Sequence, residues 1–137
     1  MKTNKKTAAF GSSVELSALW ASLMFLYIYA DHIALFQTGQ IEEMISGRMG
    51  PFPVTQASLV SASILMIIPA MMIFLTTIMK PGLNRWVNII LGVLYTLVNI
   101  SNLIGDTWIF YKFFGMVEIA LTLLIIWYAW KLPNFEG

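Results

Sequence analysis

The sequence predicts an all-α membrane protein, a single integral membrane domain built as an up-down bundle of four transmembrane helices. Hydrophobic residues make up 58% of the 137 residues and charged residues only 11%, whereas a soluble domain has about 25% charged residues. Four apolar segments reach the length of about 20 residues that a helix needs to cross a bilayer. The links between these segments are short, so consecutive helices are expected to be neighbours.

The four spans follow from runs with few or no charged residues. They are predicted at residues 16–36, 54–79, 86–105 and 107–130. The first span carries Asp31 and His32 near its end, and the second contains Pro69, which a membrane helix tolerates as a kink. The connection between them is rich in glycine and proline, and Ile41–Ile45 within it is predicted to form a short interfacial helix.

Lysine and arginine predict the orientation of the bundle. The positive residues on the side of the termini are Lys2, Lys5, Lys6, Lys80, Arg85 and Lys131. Arg48 and Lys112 lie toward the opposite side. The positive-inside rule therefore predicts that both termini are cytoplasmic. We also expect the first helix to be retained, because no A-x-A-like cleavage site ends its apolar run.

Composition excludes several classes of function. A net charge of +1 offers no basic field to phosphates, so no nucleic-acid partner is expected. The chain has no cysteine, which excludes disulfides, thiolate catalysis and thiolate-bound metals. It has one histidine and none of the nucleotide, phosphate or zinc motifs, so we predict no cofactor and no metal ion.

The third span carries a polar stripe on one helix face. Its members, at spacings of 4, 3, 4, 3 and 4, are Asn88, Gly92, Tyr95, Asn99, Asn102 and Asp106. Such spacing keeps side chains on one side of an α-helix. The other faces of this helix are apolar, so the stripe is predicted to face the interior of the bundle. The first and fourth spans show the same spacing, with Tyr27 and Asp31 in one and Tyr111 and Glu118 in the other.

Glu118 is the most informative of the polar residues within the spans. It follows Trp108 by ten residues, which places it about 15 Å along the helix, close to the bilayer midplane. A carboxylate at that depth costs several kcal/mol, and burial without a fixed partner favours the neutral form. Glu118 is therefore predicted to be neutral at pH 7 and is a candidate proton carrier.

The predicted depths converge on a polar cleft that opens to the outside and has Glu118 at its floor. The candidate ligand or proton site consists of Glu118, Asp31, His32, Tyr95, Asn99, Asn102 and Asp106. An alternative is that these side chains only hold helices together, as polar groups in membranes do at about 0.6 kcal/mol each.

Four features resemble the small four-helix bacterial membrane proteins grouped as DoxX-like. They are the basic amino terminus, Asp31 late in the first span, the proline-bearing second span and Glu118 in the last span. The resemblance lies in the organisation of nearly the whole chain and implies the four-helix fold and a location in a prokaryotic inner (plasma) membrane. Some of these proteins are linked to quinone-coupled sulfur oxidation, but the lack of cysteine here argues against thiol chemistry.

Three classes of function remain open at this point. The leading interpretation is a non-enzymatic membrane protein, surrounded by the lipid bilayer, that binds or moves a small solute, with a proton as a candidate companion. The second is an accessory subunit whose polar faces bind a membrane partner or a second copy in a homo-oligomer. The third is an enzyme acting on a lipid or quinone, which would need an acid–base pair such as Asp31 and His32.

Overall fold

The computed structural model describes residues 2–105 and 107–132, which form five helices and one small hairpin. The elements are α1 Lys2–Ala34, α2 Gln40–Ile45, β1 Arg48–Met49, β2 Phe52–Pro53, α3 Gln56–Ile78, α4 Pro81–Asn102 and α5 Ile109–Trp130. In this part of the chain four helices, namely α1 from Thr7 onward, α3, α4 and α5, are long and apolar enough to cross a membrane. The predicted fold class is therefore confirmed.

The helices differ from the predicted spans mainly where they begin. α4 starts at Pro81 instead of Trp86, because proline is well placed in the first turn, where its missing N–H costs no hydrogen bond. α1 starts far before residue 16. The predicted span begins there because Glu15 interrupts the uncharged run, but a single charged residue does not end a helix. The predicted short helix between the first two spans is confirmed as α2.

The four long helices form a ring in the order α3, α1, α5 and α4. α1 packs against α3 and α5, and α4 packs against α5. Hydrogen bonds between α4 and α3 close the ring, since Tyr95 donates to the Leu65 carbonyl and Asn84 to the Thr76 carbonyl. The end of the bundle that carries α2 and the β1–β2 hairpin is called the loop end below.

α4 buries its polar side and exposes its apolar side. Its buried residues are Asn84, Asn88, Gly92, Tyr95, Thr96 and Asn99. Ile90, Val93 and Leu97 are exposed on the outside of the bundle, which is the arrangement that hydrocarbon favours. The prediction that the polar stripe faces inward is thus confirmed over most of its length, although Asn102 at the end of α4 is exposed.

In the half of the bundle away from the loop end, hydrogen bonds through buried amide side chains connect three helices. The Trp20 indole donates to Asn88 Oδ1 at 2.7 Å, and Asn88 Nδ2 donates to Asn84 Oδ1, also at 2.7 Å. Asn84 Nδ2 in turn donates to Ser13 Oγ at 3.1 Å and to the Thr76 carbonyl at 2.8 Å. We call Ser13, Trp20, Thr76, Asn84 and Asn88 the amide chain. It joins α1, α3 and α4 through hydrogen bonds that sequence spacing alone does not specify.

Replacing Gly92 with alanine is expected to lower the free energy of unfolding by about 1–3 kcal/mol. A Cβ atom at this position would lie 2.7 Å from Ile126 Cγ1 and 3.5 Å from the Thr122 carbonyl oxygen of α5. The branched Ile126 side chain has little rotameric freedom in a helix, so α4 and α5 must separate. Gly11→Ala is the matched control, because nothing lies within 4 Å of the added atom. Chemical unfolding in detergent should show Gly11→Ala at or above wild-type stability; equal losses in both variants would contradict close α4–α5 packing.

Candidate functional site

A cavity of about 90 Å³ lies inside the bundle, between α1, α3, α4 and α5. Its walls on α1, α4 and α5 are largely polar, whereas α3 contributes apolar side chains. The lining consists of Tyr27, Ala30, Asp31, Leu65, Met66, Tyr95, Val98, Asn99, Asn102, Tyr111 and Glu118. We call this space the inner cavity.

A larger cavity of about 600 Å³ lies at the loop end. Asp31, Asn102 and Tyr111 line both this space, which we call the vestibule, and the inner cavity. Residues of α2 and the β1–β2 hairpin complete its wall, among them Glu43 and Met49. The two spaces together form a cleft that narrows from the loop end toward the middle of the bundle.

Glu118 lines the inner cavity and does not line the vestibule. Its side chain is buried, with 6% of its surface exposed. No hydrogen bond or ion pair joins its carboxyl to another residue within 2–105 and 107–132. The next polar residue on this face, Thr122, behaves differently, since its hydroxyl accepts from Thr96 Oγ1 of α4 at 2.8 Å. Glu118 is therefore a buried acid that does not serve to hold two helices together.

Asn99 brings a second unpartnered group to the same cavity. The Tyr27 hydroxyl donates to Asn99 Oδ1 at 2.8 Å, which links α1 to α4. Asn99 is fully buried, and its Nδ2 has no hydrogen-bond partner among the described residues. A buried amide N–H without a partner costs about 1–3 kcal/mol, and this nitrogen is itself buried from a water-sized molecule.

The Tyr95 hydroxyl is hydrogen-bonded to a backbone carbonyl that Pro69 leaves without its helical partner. Proline has no N–H, so the carbonyl four residues earlier, that of Leu65, loses its helical hydrogen bond. The Tyr95 hydroxyl donates to this carbonyl from α4. Pro69 thus frees the Leu65 carbonyl, which accepts the hydrogen bond that positions Tyr95 at the inner cavity.

The structure brings five of the predicted site residues to the inner cavity. They are Asp31, Tyr95, Asn99, Asn102 and Glu118. Asp31 and Asn102 are exposed at the junction with the vestibule, whereas the other three are buried. Their shared location is a structural fact, and their functional role stays a prediction.

Two predicted site residues are not placed in the cleft. His32 is exposed, and its ring contacts Phe36 with a centroid separation of 5.9 Å. It lines neither the inner cavity nor the vestibule, because one residue along a helix turns the side chain about 100° away from Asp31. Asp106 lies outside the described residues.

Tyr27 and Tyr111 are cavity residues that the predicted site did not include. Both belong to the helix faces that carry Asp31 and Glu118, four and seven residues away respectively, so helical spacing was a sufficient signal for them. Met66 also lines the cavity, but an apolar residue in an apolar span offers no such signal.

The described side chains include no group of three histidine, aspartate or glutamate residues that could hold a metal ion. The chemistry available to the inner cavity is that of two carboxyls, two amides and three phenols. These groups can exchange a proton and can form hydrogen bonds with a polar solute.

Residues 11–135 match a family described as a family of unknown function (DUF6326). The chain belongs to this family. All the cavity residues lie within the matched segment, so the cleft is built from the part of the chain that defines this membership. The chain matches no curated protein and no solved structure. The four apolar helices are consistent with a small membrane protein, and the resemblance to DoxX-like proteins stays a prediction.

Proposed function

We propose that this DUF6326 protein lies in a prokaryotic inner membrane and binds or moves a small solute through the cleft, with Glu118 exchanging a proton. The observation that carries the proposal is the buried carboxyl of Glu118, which has no partner among the described residues, at the narrow end of a cleft that opens at the loop end. A protein that only needed to pack its helices would gain stability by replacing this acid with an apolar side chain.

The stripe on α4 divides into two parts with different roles. Asn84 and Asn88 are hydrogen-bonded within the amide chain, which supports the helix-packing interpretation for that half of the bundle. Asn99 and Glu118 both line the inner cavity, and neither Asn99 Nδ2 nor the Glu118 carboxyl has a hydrogen-bond partner among the described residues. This contrast supports a ligand or water path for the half nearer the loop end.

The two alternative functions receive less support. An enzyme that used Asp31 and His32 as an acid–base pair would need both in one site, and only Asp31 lines the cleft. An accessory subunit that bound a partner through its polar faces would need those faces exposed, whereas Asn88 and Asn99 are buried inside the bundle. Mass measurement in mild detergent separates these classes, since a stable hetero-complex would favour the accessory subunit.

The loop end is proposed to face the outside of the cell. This orientation follows from the excess of lysine and arginine on the side of the termini. Under it, the vestibule receives solutes from outside, and the amide chain lies toward the cytoplasm.

Single-cysteine labelling tests both the access and the orientation, because the natural chain has no cysteine to react in the background. Asn102→Cys places a thiol at the junction of vestibule and inner cavity, and Lys80→Cys places one at the opposite end of α4. Intact cells are treated with two membrane-impermeant methanethiosulfonates, one cationic and one anionic. We expect at least one reagent to label Asn102→Cys and neither to label Lys80→Cys. Absence of labelling in both variants would overturn the solute cleft, whereas labelling of Lys80→Cys would overturn the orientation.

A further inference from the structure

The cleft is acidic along its whole length. Asp31 and Glu118 line the inner cavity, and Glu43 lines the vestibule. No lysine, arginine or histidine is among the described residues that line either space. Carboxylates at the entrance of a low-dielectric bundle, here Asp31 and Glu43, attract cations and repel anions more strongly than the same charges would in water.

The remaining walls suit an organic cation better than a bare metal ion. The side chains of Tyr27, Tyr95 and Tyr111 line the cavity, and aromatic rings attract ammonium groups through their faces. Leu65 and Met66 supply apolar surface on the α3 side. An alkali or alkaline-earth ion would instead require a shell of about six oxygen ligands, which these apolar walls interrupt.

The size of the inner cavity limits the ligand. Its volume of about 90 Å³ corresponds to about three water molecules at the density of the liquid. An ammonium group with one or two carbon atoms occupies a similar space. The vestibule, at about 600 Å³, can admit larger molecules but does not contain Glu118.

We infer that the solute of this cleft is a small protonated amine, which enters from the vestibule and pairs with Glu118 in the inner cavity. The inference rests on the proposed function and specifies its substrate class. Asp31 attracts the ammonium group at the junction, and the three tyrosine side chains line the inner cavity that receives it.

Binding of the amine is coupled to release of a proton. The groups that face Glu118 across the cavity are Asp31 and Tyr27 of α1, Tyr95 of α4 and Tyr111 of its own helix, and none of them is a cation. Glu118 is neutral when the cavity holds no cation, and an ammonium ion that arrives beside it stabilises the carboxylate. One proton leaves Glu118 for each amine bound, so the charge of the occupied cavity is unchanged.

The two charged methanethiosulfonates test this inference on Asn102→Cys. After correction for their rates with a small thiol in solution, the cationic reagent should react about tenfold faster than the anionic one. The double variant Asp31→Asn/Glu118→Gln should abolish this preference, while Glu42→Gln, whose carboxyl lies outside both spaces, should keep it. Methylammonium chloride should slow the labelling, and sodium chloride at the same concentration should not.

The outcomes separate the inference from the proposed function. Equal labelling rates with both reagents would overturn the amine as solute. So would labelling that sodium chloride or sodium acetate slows as much as methylammonium chloride does. Either result would still leave an accessible cleft. Failure of both reagents to reach Asn102→Cys, with Lys80→Cys also unlabelled, would overturn the cleft itself. Retention of the cation preference in the double variant would show that Asp31 and Glu118 do not provide it, which also contradicts the inference.

Discussion

Glu118→Gln is expected to abolish the proton exchange of the cleft and to leave the fold intact. Glutamine copies the shape of the neutral acid, and the carboxyl of Glu118 makes no hydrogen bond that the change would break within the described part of the chain. The free energy of unfolding should therefore change by less than about 1 kcal/mol. Proton release on addition of methylammonium, measured by calorimetry in two buffers of different ionisation enthalpy, should disappear.

Infrared difference spectroscopy provides a direct view of the same carboxyl. Spectra recorded between about pH 4 and 9 bracket free and buried carboxyl groups. The wild-type protein should show a protonated carboxyl band at pH 7 that Glu118→Gln removes. Glu15→Gln is the matched control, since Glu15 is exposed on α1 and lines neither cavity space. An ionised Glu118 at pH 7 in the amine-free protein would contradict the proton-carrier role.

Trp20→Ala is expected to be the most destabilising single change, at about 3–5 kcal/mol. Trp20 is fully buried, its indole N–H donates to Asn88 Oδ1 at 2.7 Å, and its ring lies edge-on against Tyr95 with a centroid separation of 5.8 Å. Removing it leaves a cavity and an unpaired amide oxygen in the amide chain. Trp86, which is 55% exposed on α4, provides the control, and Trp86→Ala should cost less than about 1 kcal/mol.

A milder variant separates packing from hydrogen bonding at this position. Trp20→Phe retains much of the ring but removes the donor to Asn88, so it should cost about 1–3 kcal/mol. The measurement is unfolding in mixed micelles with increasing denaturing detergent. Equal losses for Trp20→Ala and Trp86→Ala would show that the amide chain does not stabilise the bundle.

Trp20 also connects the stability of the bundle to the geometry of the cleft. It lies seven residues before Tyr27 on α1, about 10 Å farther from the loop end. Its edge contact with Tyr95 joins the amide chain to a residue that lines the inner cavity. The half of the bundle away from the loop end therefore contacts one wall of the cleft directly.

The sequence by itself determined the fold class and which faces are buried. Hydrocarbon cannot hydrogen-bond a polar group, so a helix with polar residues every third or fourth position must turn that side inward. This argument placed Asn88, Tyr95, Asn99 and Glu118 inside the bundle, where the structure has them. The same rule identified the stripe without any knowledge of the neighbouring helices.

Only the tertiary structure decided which polar residues have partners. Asn88 and Asn99 occupy the same stripe, yet Asn88 is hydrogen-bonded to Trp20 and Asn84, whereas Asn99 Nδ2 has no partner in the part of the chain that the structure describes. Partners come from other helices, and their rotation and register do not appear in the spacing of one helix. For the same reason Asp31 lines the cleft and its neighbour His32 does not. Periodicity defines the inward face of a helix, and the packing of the other helices determines whether a group on that face is hydrogen-bonded or left free to meet a ligand.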